Sequence, residues 1–268
     1  MDHLDGRSVA PDVSSAAQAT TSRRLGMLLT PDTGLDAEIW EWCPKGAIPY
    51  ITRLQLPDTS DEDVDLMIGS ADVVQSATRS LVGTKILPGI DPDVVVFNCT
   101  SGSFVSGLAG ERAIRLSILR TGAPRALTTS GAVVGALTVL NALRVAVGTP
   151  YDEEANLRLK QFLGEAGFEV DSIPTTPVER LDHTSDDQIR AIAATAYDKK
   201  ASAMFISCAA LRTRHLLSEL SALYGIPVIS SLQATMWAAL AQVGERVIAS
   251  DHVLNSLPWP KNTSLLAP

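Results

Sequence analysis

The stretch Val94-Val95-Val96-Phe97-Asn98-Cys99-Thr100-Ser101-Gly102-Ser103 decides the fold. Four apolar residues follow one another without alternation, which is typical of a strand covered on both faces in an α/β sheet. The small and hydroxyl residues after them leave room for a substrate close to the backbone. N–H groups at the start of a following helix would attract an anion and would favour the thiolate of Cys99. We therefore predict a buried strand that delivers a reactive thiol into a turn.

A second stretch, residues 203–210, has the same form, because an apolar strand again ends in a polar residue, a cysteine (Cys208) and small residues. Upstream of each cysteine strand, another apolar strand ends in Thr-Pro, at Pro31 and at Pro150. The two prolines lie 119 residues apart and the two cysteines 109, so the spacing is nearly the same. We predict one duplicated α/β unit, with Cys99 and Cys208 facing each other across a cleft between two similar lobes.

Strand and helix patterns alternate through the chain, which indicates parallel sheets with helices on both faces. The first lobe is predicted over residues 23–130 and the second over 131–231, with residues 232–268 packing back on the first. Residues 1–22 are rich in Ser, Ala, Thr and Asp without a clear period, and we predict a disordered tail there. Helices are predicted over residues 61–80, 105–121, 152–167, 185–197, 212–224 and 234–243.

Composition narrows the class of protein. The 268 residues carry a net charge of −8 without a cluster of Lys or Arg, which argues against a nucleic-acid partner. No apolar run approaches the roughly 18 to 20 residues that span a bilayer, so we expect no membrane insertion. The first residues lack the apolar region of a signal peptide, and three cysteines do not suggest a disulfide framework. We expect a cytoplasmic protein with free thiols.

The chain resembles the aspartate/glutamate racemase superfamily, in the branch that contains the maleate cis-trans isomerases and the arylmalonate decarboxylases. The resemblance covers roughly residues 24–240. It rests on three motifs: Asn98-Cys99-Thr100-Ser101, Thr149-Pro150-Tyr151-Asp152-Glu153 with Asn156, and Ser207-Cys208. It implies two pseudo-symmetric α/β lobes with the active site between them, and no metal or organic cofactor.

The resemblance also implies roles for single residues. Cys99 matches a thiol of the isomerases and racemases that the arylmalonate decarboxylases replace by glycine, and Cys208 matches the thiol common to both groups. Thr100, Ser101 and Tyr151 fall on positions that bind a substrate carboxylate in relatives.

Other positions depart from the isomerase pattern. Asp32 and Val178 fall where the maleate enzymes resemble one another in an asparagine, so each change removes a carboxylate donor. Ala209, directly after the second thiol, is a further predicted substrate contact. The turn at residues 31–35 is nearer to the decarboxylase pattern. The resemblance therefore implies a hybrid of the two subgroups and does not identify maleate as the substrate.

Two thiols on opposite sides of a small acid can act in two ways. One thiolate can remove the proton next to a carboxylate while the other thiol protonates the opposite face, or a thiolate can add to an activated double bond that then rotates. We predict an isomerase or racemase of a small carboxylic acid, most like maleate isomerase. Cys99 is the predicted nucleophile or base and Cys208 the partner acid/base, and the sequence leaves the exchange of these two roles open. The sequence is compatible with a homo-oligomer and does not indicate a number of subunits.

Three alternatives remain open at this point. An arylmalonate-type decarboxylase or an amino-acid-derivative racemase would form an enediolate and protonate it from Cys208. A non-catalytic protein would bind a dicarboxylate in the cleft without turnover. Structural roles are the third alternative, because a buried cysteine is more often inert packing than a catalyst and Asp32 is a common turn residue.

Overall fold

The computed structural model describes residues 22–56, 63–178, 180–248 and 253–258, so the predicted tail lies outside the described residues except for its last position. The strands and helices, in chain order, are β1 (Arg23–Leu29), α1 (Asp36–Trp42), β2 (Ala47–Arg53), α2 (Val64–Ile68), α3 (Ala71–Val82), β3 (Val94–Asn98), α4 (Thr100–Phe104), α5 (Gly107–Arg120), β4 (Ala126–Thr128), α6 (Thr129–Val139), β5 (Val145–Gly148), α7 (Glu153–Glu165), α8 (Asp186–Ala196), β6 (Ala203–Ile206), α9 (Leu217–Tyr224), β7 (Val228–Ser230) and α10 (Ser231–Gln242), with 3-10 turns at Leu181–His183 and Val253–Ser256.

The strands form two parallel sheets, one in the order β2-β1-β3-β4 and one in the order β5-β6-β7. The predicted α/β class with two similar lobes is confirmed. All strands of the first sheet lie before residue 130 and all strands of the second after residue 144, while the lobe boundaries at residues 130 and 231 stay predictions. α10 contacts β3 and β4 as well as β7, so the chain returns to the first sheet after the second is complete.

The apolar run at residues 94–97 is fully buried, as its lack of alternation predicts. β3 lies inside the first sheet and β6 in the middle of the second, so Cys99 and Cys208 follow the equivalent strands of the two lobes. Ligands gather beyond the carboxyl ends of such strands. The duplication therefore directs both thiols toward the cleft.

Local signals mark the ends of several helices, and α10 begins at Ser231, three residues before the predicted start. The Thr128 hydroxyl accepts the Gly131 N–H at the start of α6, and the Ser230 hydroxyl accepts the Gln233 N–H at the start of α10. Ser185 and Gln188 form a capping box at the start of α8. Gly167, just after α7, has a φ of 92°, as a glycine that ends a helix often does.

The prediction of one helix over residues 61–80 is wrong in its continuity, because two helices, α2 and α3, occupy the described part of that range. The break falls at Gly69, where an added Cβ would lie 2.8 Å from the carbonyl oxygen of Gly102. α2 thus ends at Gly69 with its backbone packed directly on α4, and Ser70 is the N-cap of α3. The predicted helix at residues 212–224 also begins later, at Leu217, because residues 208–216 form an irregular segment after Cys208.

A buried ion pair supports the first lobe. Arg115 Nε donates to both carboxylate oxygens of Glu111, at 2.9 and 3.0 Å, and both side chains are almost fully buried. Glu111 also accepts the hydroxyl of Thr128 at 2.6 Å, so the pair connects α5 to the cap of α6. Within the described residues, no helix is both long and apolar enough to cross a bilayer.

We expect Arg115→Met to lower the free energy of unfolding by about 3 to 5 kcal/mol, because it leaves the Glu111 carboxylate buried without its cation. Denaturant unfolding measures the change. Arg190→Met is the control, since Arg190 pairs with Glu219 on the surface and its loss should cost far less. Equal losses in the two variants would contradict the role of the buried pair.

Candidate active site

One cavity of about 360 Å³ brings together most of the predicted site. Of the eight predicted site residues, seven line it: Asp32, Cys99, Thr100, Ser101, Tyr151, Cys208 and Ala209. The volume suits a small ligand. A larger and more open hollow of about 790 Å³ beside α2 and α3 is lined by no cysteine among the described residues. The thiols therefore single out the smaller cavity.

Val178 is the predicted site residue that does not line this cavity. Its side chain is partly buried against the larger hydrophobic core. Leu181, in the 3-10 turn that follows, lines the cavity. The second lobe thus presents an apolar side chain from this segment, three residues later than the sequence comparison implied.

Cys99 stands at the start of α4 with its thiol against backbone. The Gly102 N–H donates to the sulfur, and Ser101 Oγ lies 3.7 Å from it. An added Cβ at Gly102 would lie 3.4 Å from Cys99 Sγ and 2.8 Å from Ile68, so glycine permits this close approach. The predicted helix after the cysteine exists, but it is only five residues long.

Cys208 adopts a φ of 92°, a left-handed conformation that a non-glycine residue rarely takes. Its sulfur accepts the N–H of Ala210 at 3.4 Å and the hydroxyl of Tyr151. Ser207 Oγ donates to the Tyr151 oxygen at 3.5 Å, which leaves the tyrosine proton for the sulfur. Strain at such a residue is common where a functional group must be aimed.

Both cavity thiols are neutral near pH 7, which corrects the expectation that the helix start would favour a Cys99 thiolate. Burial raises the pKa of Cys99 to about 12 and that of Cys208 to about 11. Desolvation of the charged form outweighs the N–H donors at each sulfur. Asp65 raises both pKa values further, and Asp32 raises that of Cys208.

Alkylation tests this correction. At neutral pH we expect iodoacetamide to modify Cys99 and Cys208 much more slowly than free cysteine. The rate should climb about tenfold per pH unit and continue to climb above the pKa of a free thiol, because thiolate is the reactive form. Mass spectrometry of labelled peptides reads each site, with denatured protein as the fast control. Rapid labelling at pH 7 would show that the folded protein holds a thiolate.

Several donors are available for a carboxylate. The Thr100 hydroxyl, at the cavity wall, donates to Ser231 Oγ at 3.0 Å. The Asn98 side chain is fully buried and lines the cavity, and its Nδ2 atom has no hydrogen-bond partner among the described residues. A buried donor without a partner is costly unless a ligand satisfies it. Asn98 was in the sequence motif, although its amide was not identified as a site group.

Asp65 is a cavity residue that the sequence analysis missed. Its Oδ1 atom accepts the hydroxyl of Ser101 at 2.6 Å, and burial raises its pKa. It lies in an acidic run from residue 61 to 65, which looks like an ordinary solvated helix start. Asp32 follows the end of β1, in a turn closed by hydrogen bonds between Thr30 and Thr33. The cavity therefore contains two carboxylates.

Glu38 binds the backbone near the end of residues 208–216, the irregular segment that follows Cys208. Its buried carboxyl group accepts the backbone N–H of Arg214 at 3.1 Å, and burial raises its pKa to about 7. The guanidinium of Arg214 lies 5.2 Å from the ring centre of Trp42, beside Glu38 on α1. Helix α1 of one lobe thus fixes a loop of the other. Among the described residues, no group of three or more His, Cys, Asp or Glu side chains could hold a metal ion.

Comparison with known proteins gives consistent relatives. The sequence model of the arylmalonate decarboxylase family matches residues 69–253. An arylmalonate decarboxylase of Bordetella bronchiseptica is 29% identical over 235 residues, which cover 85% of this chain and 93% of that protein. A maleate isomerase of Nocardia farcinica is 28% identical over 160 residues, covering 56% and 63%.

The fold has solved counterparts. The maleate cis-trans isomerase of Nocardia farcinica, in a mutant with a covalently bound succinylcysteine intermediate, aligns with a TM-score of 0.69 at 20% identity. The alignment covers 84% of this chain and 95% of that one. At this identity the likeness concerns the fold.

Proposed function

Because the chain belongs to the arylmalonate decarboxylase family, whose members and relatives are decarboxylases and isomerases, we propose that it is an isomerase that inverts the carbon next to a carboxylate in a small acid. The observation that carries the proposal is the pair of buried thiols, Cys99 and Cys208, that line one cavity from equivalent strands of two lobes. Proton removal on one face and return on the other requires two such groups.

The reaction begins when one thiol gives its proton to solvent water, and Cys208 is the better candidate for the resulting thiolate. Tyr151 O–H and Ala210 N–H both point to its sulfur. At Cys99 the nearby Ser101 hydroxyl is already donated to Asp65. Hydrogen bonds to the charged form lower a thiol pKa, so the donors favour a thiolate at Cys208 over one at Cys99.

Two proton transfers at the α-carbon follow. The Cys208 thiolate takes the proton from the α-carbon, and the electron pair of that C–H bond moves into the carboxylate to give an enediolate. Asn98 Nδ2, which has no partner among the described residues, would meet this anion directly, and the Thr100 hydroxyl would join it on turning away from Ser231 Oγ. One well-placed donor contributes about 3 kcal/mol. Cys99 S–H gives its proton to the opposite face. The products are the inverted acid, a Cys208 thiol and a Cys99 thiolate.

Decarboxylation is the second candidate, because the family model and the Bordetella relative carry that name. It would release CO2 to form the same enediolate, which a single thiol can protonate. Thiol addition to a double bond is a further form of isomerisation, and the Nocardia structure with its succinylcysteine shows a cysteine adduct in that relative. The two acidic residues of the cavity weigh against maleate, a dianion.

Incubation in D2O separates these reactions. We expect one enantiomer of a small 2-substituted acid to gain deuterium at the α-carbon by NMR and to appear as the other enantiomer by chiral chromatography. CO2 release from substituted malonates, without inversion of any acid in the panel, would replace the proposal by decarboxylation. Saturable binding without exchange, inversion or CO2 release would indicate a silent binding protein.

A further inference from the structure

The charge of the cavity limits what it can bind. Asp32 and Asp65 are the charged side chains among the described residues that line it, and no lysine, arginine or histidine is among them. Outside the lining, the positive charge of Arg158 lowers the pKa of Asp65, but Arg158 is itself ion-paired with Asp63 at 2.7 Å and with Glu154 at 2.6 Å. The lining therefore offers two anionic groups and no cation to the ligand.

The hydrogen bond between Ser101 and Asp65 couples the negative charge of the cavity to ligand binding. Ser101 has a single hydroxyl proton, and it is donated to Asp65. If Ser101 turns to donate to a substrate carboxylate, the partly buried Asp65 carboxylate loses that donor. A carboxylate left without a partner away from water is unfavourable, so the ligand has to compensate for it. A positively charged nitrogen on the same ligand does so directly.

The two thiols also favour a ligand that carries a positive charge. Both sulfurs lie in the field of Asp65, and Cys208 also lies in that of Asp32. A dicarboxylate would add two negative charges to a cavity in which one thiol must become an anion. A ligand that carries one carboxylate and one cation adds no net charge, and its cation offsets the field of the two aspartates. Such a ligand makes thiolate formation easier instead of harder.

We propose that Asp65 is a specificity-determining residue, which selects small acids that carry a protonated amine on or near the α-carbon and disfavours dicarboxylates. The inference rests on the proposed function, since it names the substrate class of the same site. The short reach follows from Ser101, which lies 3.7 Å from the Cys99 sulfur and contacts Asp65. One small molecule can therefore place its carboxylate and α-carbon at the thiols and its nitrogen at Asp65.

Matched acids test the selection. Each set keeps one carboxylate and one methyl or phenyl group on the α-carbon, and the third substituent is ammonium, carboxylate or methyl. Binding is measured by ligand-observed NMR titration, and kcat and KM are measured by α-proton exchange in D2O. In the wild type we expect the ammonium acid to bind at least about tenfold more tightly than its dicarboxylate match.

Asp65→Asn, which removes the charge and keeps the size, should weaken binding of the ammonium acid about tenfold to a hundredfold, raise its KM and improve binding of the dicarboxylate. Asp72→Asn is the control, because Asp72 is an exposed carboxylate on α3 outside this cavity and its loss changes net charge equally. Thermal unfolding checks that both variants fold. The control should keep the wild-type preference.

The outcomes separate the two proposals. A wild type that prefers dicarboxylates, or an Asp65→Asn variant that keeps the wild-type preference, overturns the role of Asp65. Failure of every ammonium acid to bind at millimolar concentration also overturns it. Binding of the ammonium acid that depends on Asp65, without exchange or inversion, supports the selection and overturns the isomerase.

Discussion

Replacing Cys208 by serine is expected to lower kcat for α-proton exchange by roughly 10³-fold or more, the largest effect of any single change in this protein. Serine keeps the shape of the side chain, but its hydroxyl does not ionise in the range where a thiol with a pKa of about 11 supplies some thiolate. The Tyr151 and Ala210 donors would remain in place around an oxygen that carries no charge.

Steady-state exchange kinetics in D2O measure the loss, and a thermal unfolding midpoint close to that of the wild type shows that the fold is intact. Cys43→Ser is the matched control, because Cys43 is a buried cysteine of the larger core that does not line the cavity. That control should retain its turnover. Turnover of Cys208→Ser within tenfold of the wild type would remove this thiol from the chemistry of both the isomerase and the decarboxylase.

Replacing Cys99 by alanine is expected to lower the rate of inversion by roughly 10³-fold while deuterium exchange continues on one enantiomer. Without the second thiol, Cys208 can still remove the α-proton from its own face and return a deuteron to the same face. The substrate then becomes labelled without changing configuration. A two-base mechanism predicts this separation of exchange from inversion, because each base serves one face.

Chiral chromatography and NMR on the same samples give both rates for each enantiomer. Inversion at the wild-type rate in Cys99→Ala would contradict the two-thiol mechanism. If this variant releases CO2 from a substituted malonate as fast as the wild type does, decarboxylation from Cys208 alone becomes the better description.

Much of the fold could be predicted from local sequence, because its signals are local. The unbroken apolar run at residues 94–97, the hydroxyl residues at strand ends and the capping box at Ser185 each act within a few residues. The duplication added a long-range prediction, that Cys99 and Cys208 share a cavity. That inference works because repeated units place equivalent strand ends at equivalent points of two sheets.

The features that the sequence did not reveal depend on tertiary contacts. At the break between α2 and α3, Gly69 packs against the backbone of Gly102, a contact that no pattern within α2 encodes. The same contact brings Asp65 against Ser101, so an ordinary acidic helix start becomes part of the cavity. The raised pKa values of the thiols likewise depend on burial by both lobes and could not be derived from the strand ends alone.

The left-handed backbone at Cys208 sets a conflict for protein engineering. Glycine adopts a φ of 92° freely, whereas a cysteine there costs about 1 to 3 kcal/mol. Selection of a variant library for heat resistance alone would therefore favour relief of this strain by glycine, and under the proposed mechanism such variants would lack the thiol that starts the reaction. A stabilised variant of this protein therefore has to be selected for product formation as well as for thermal stability.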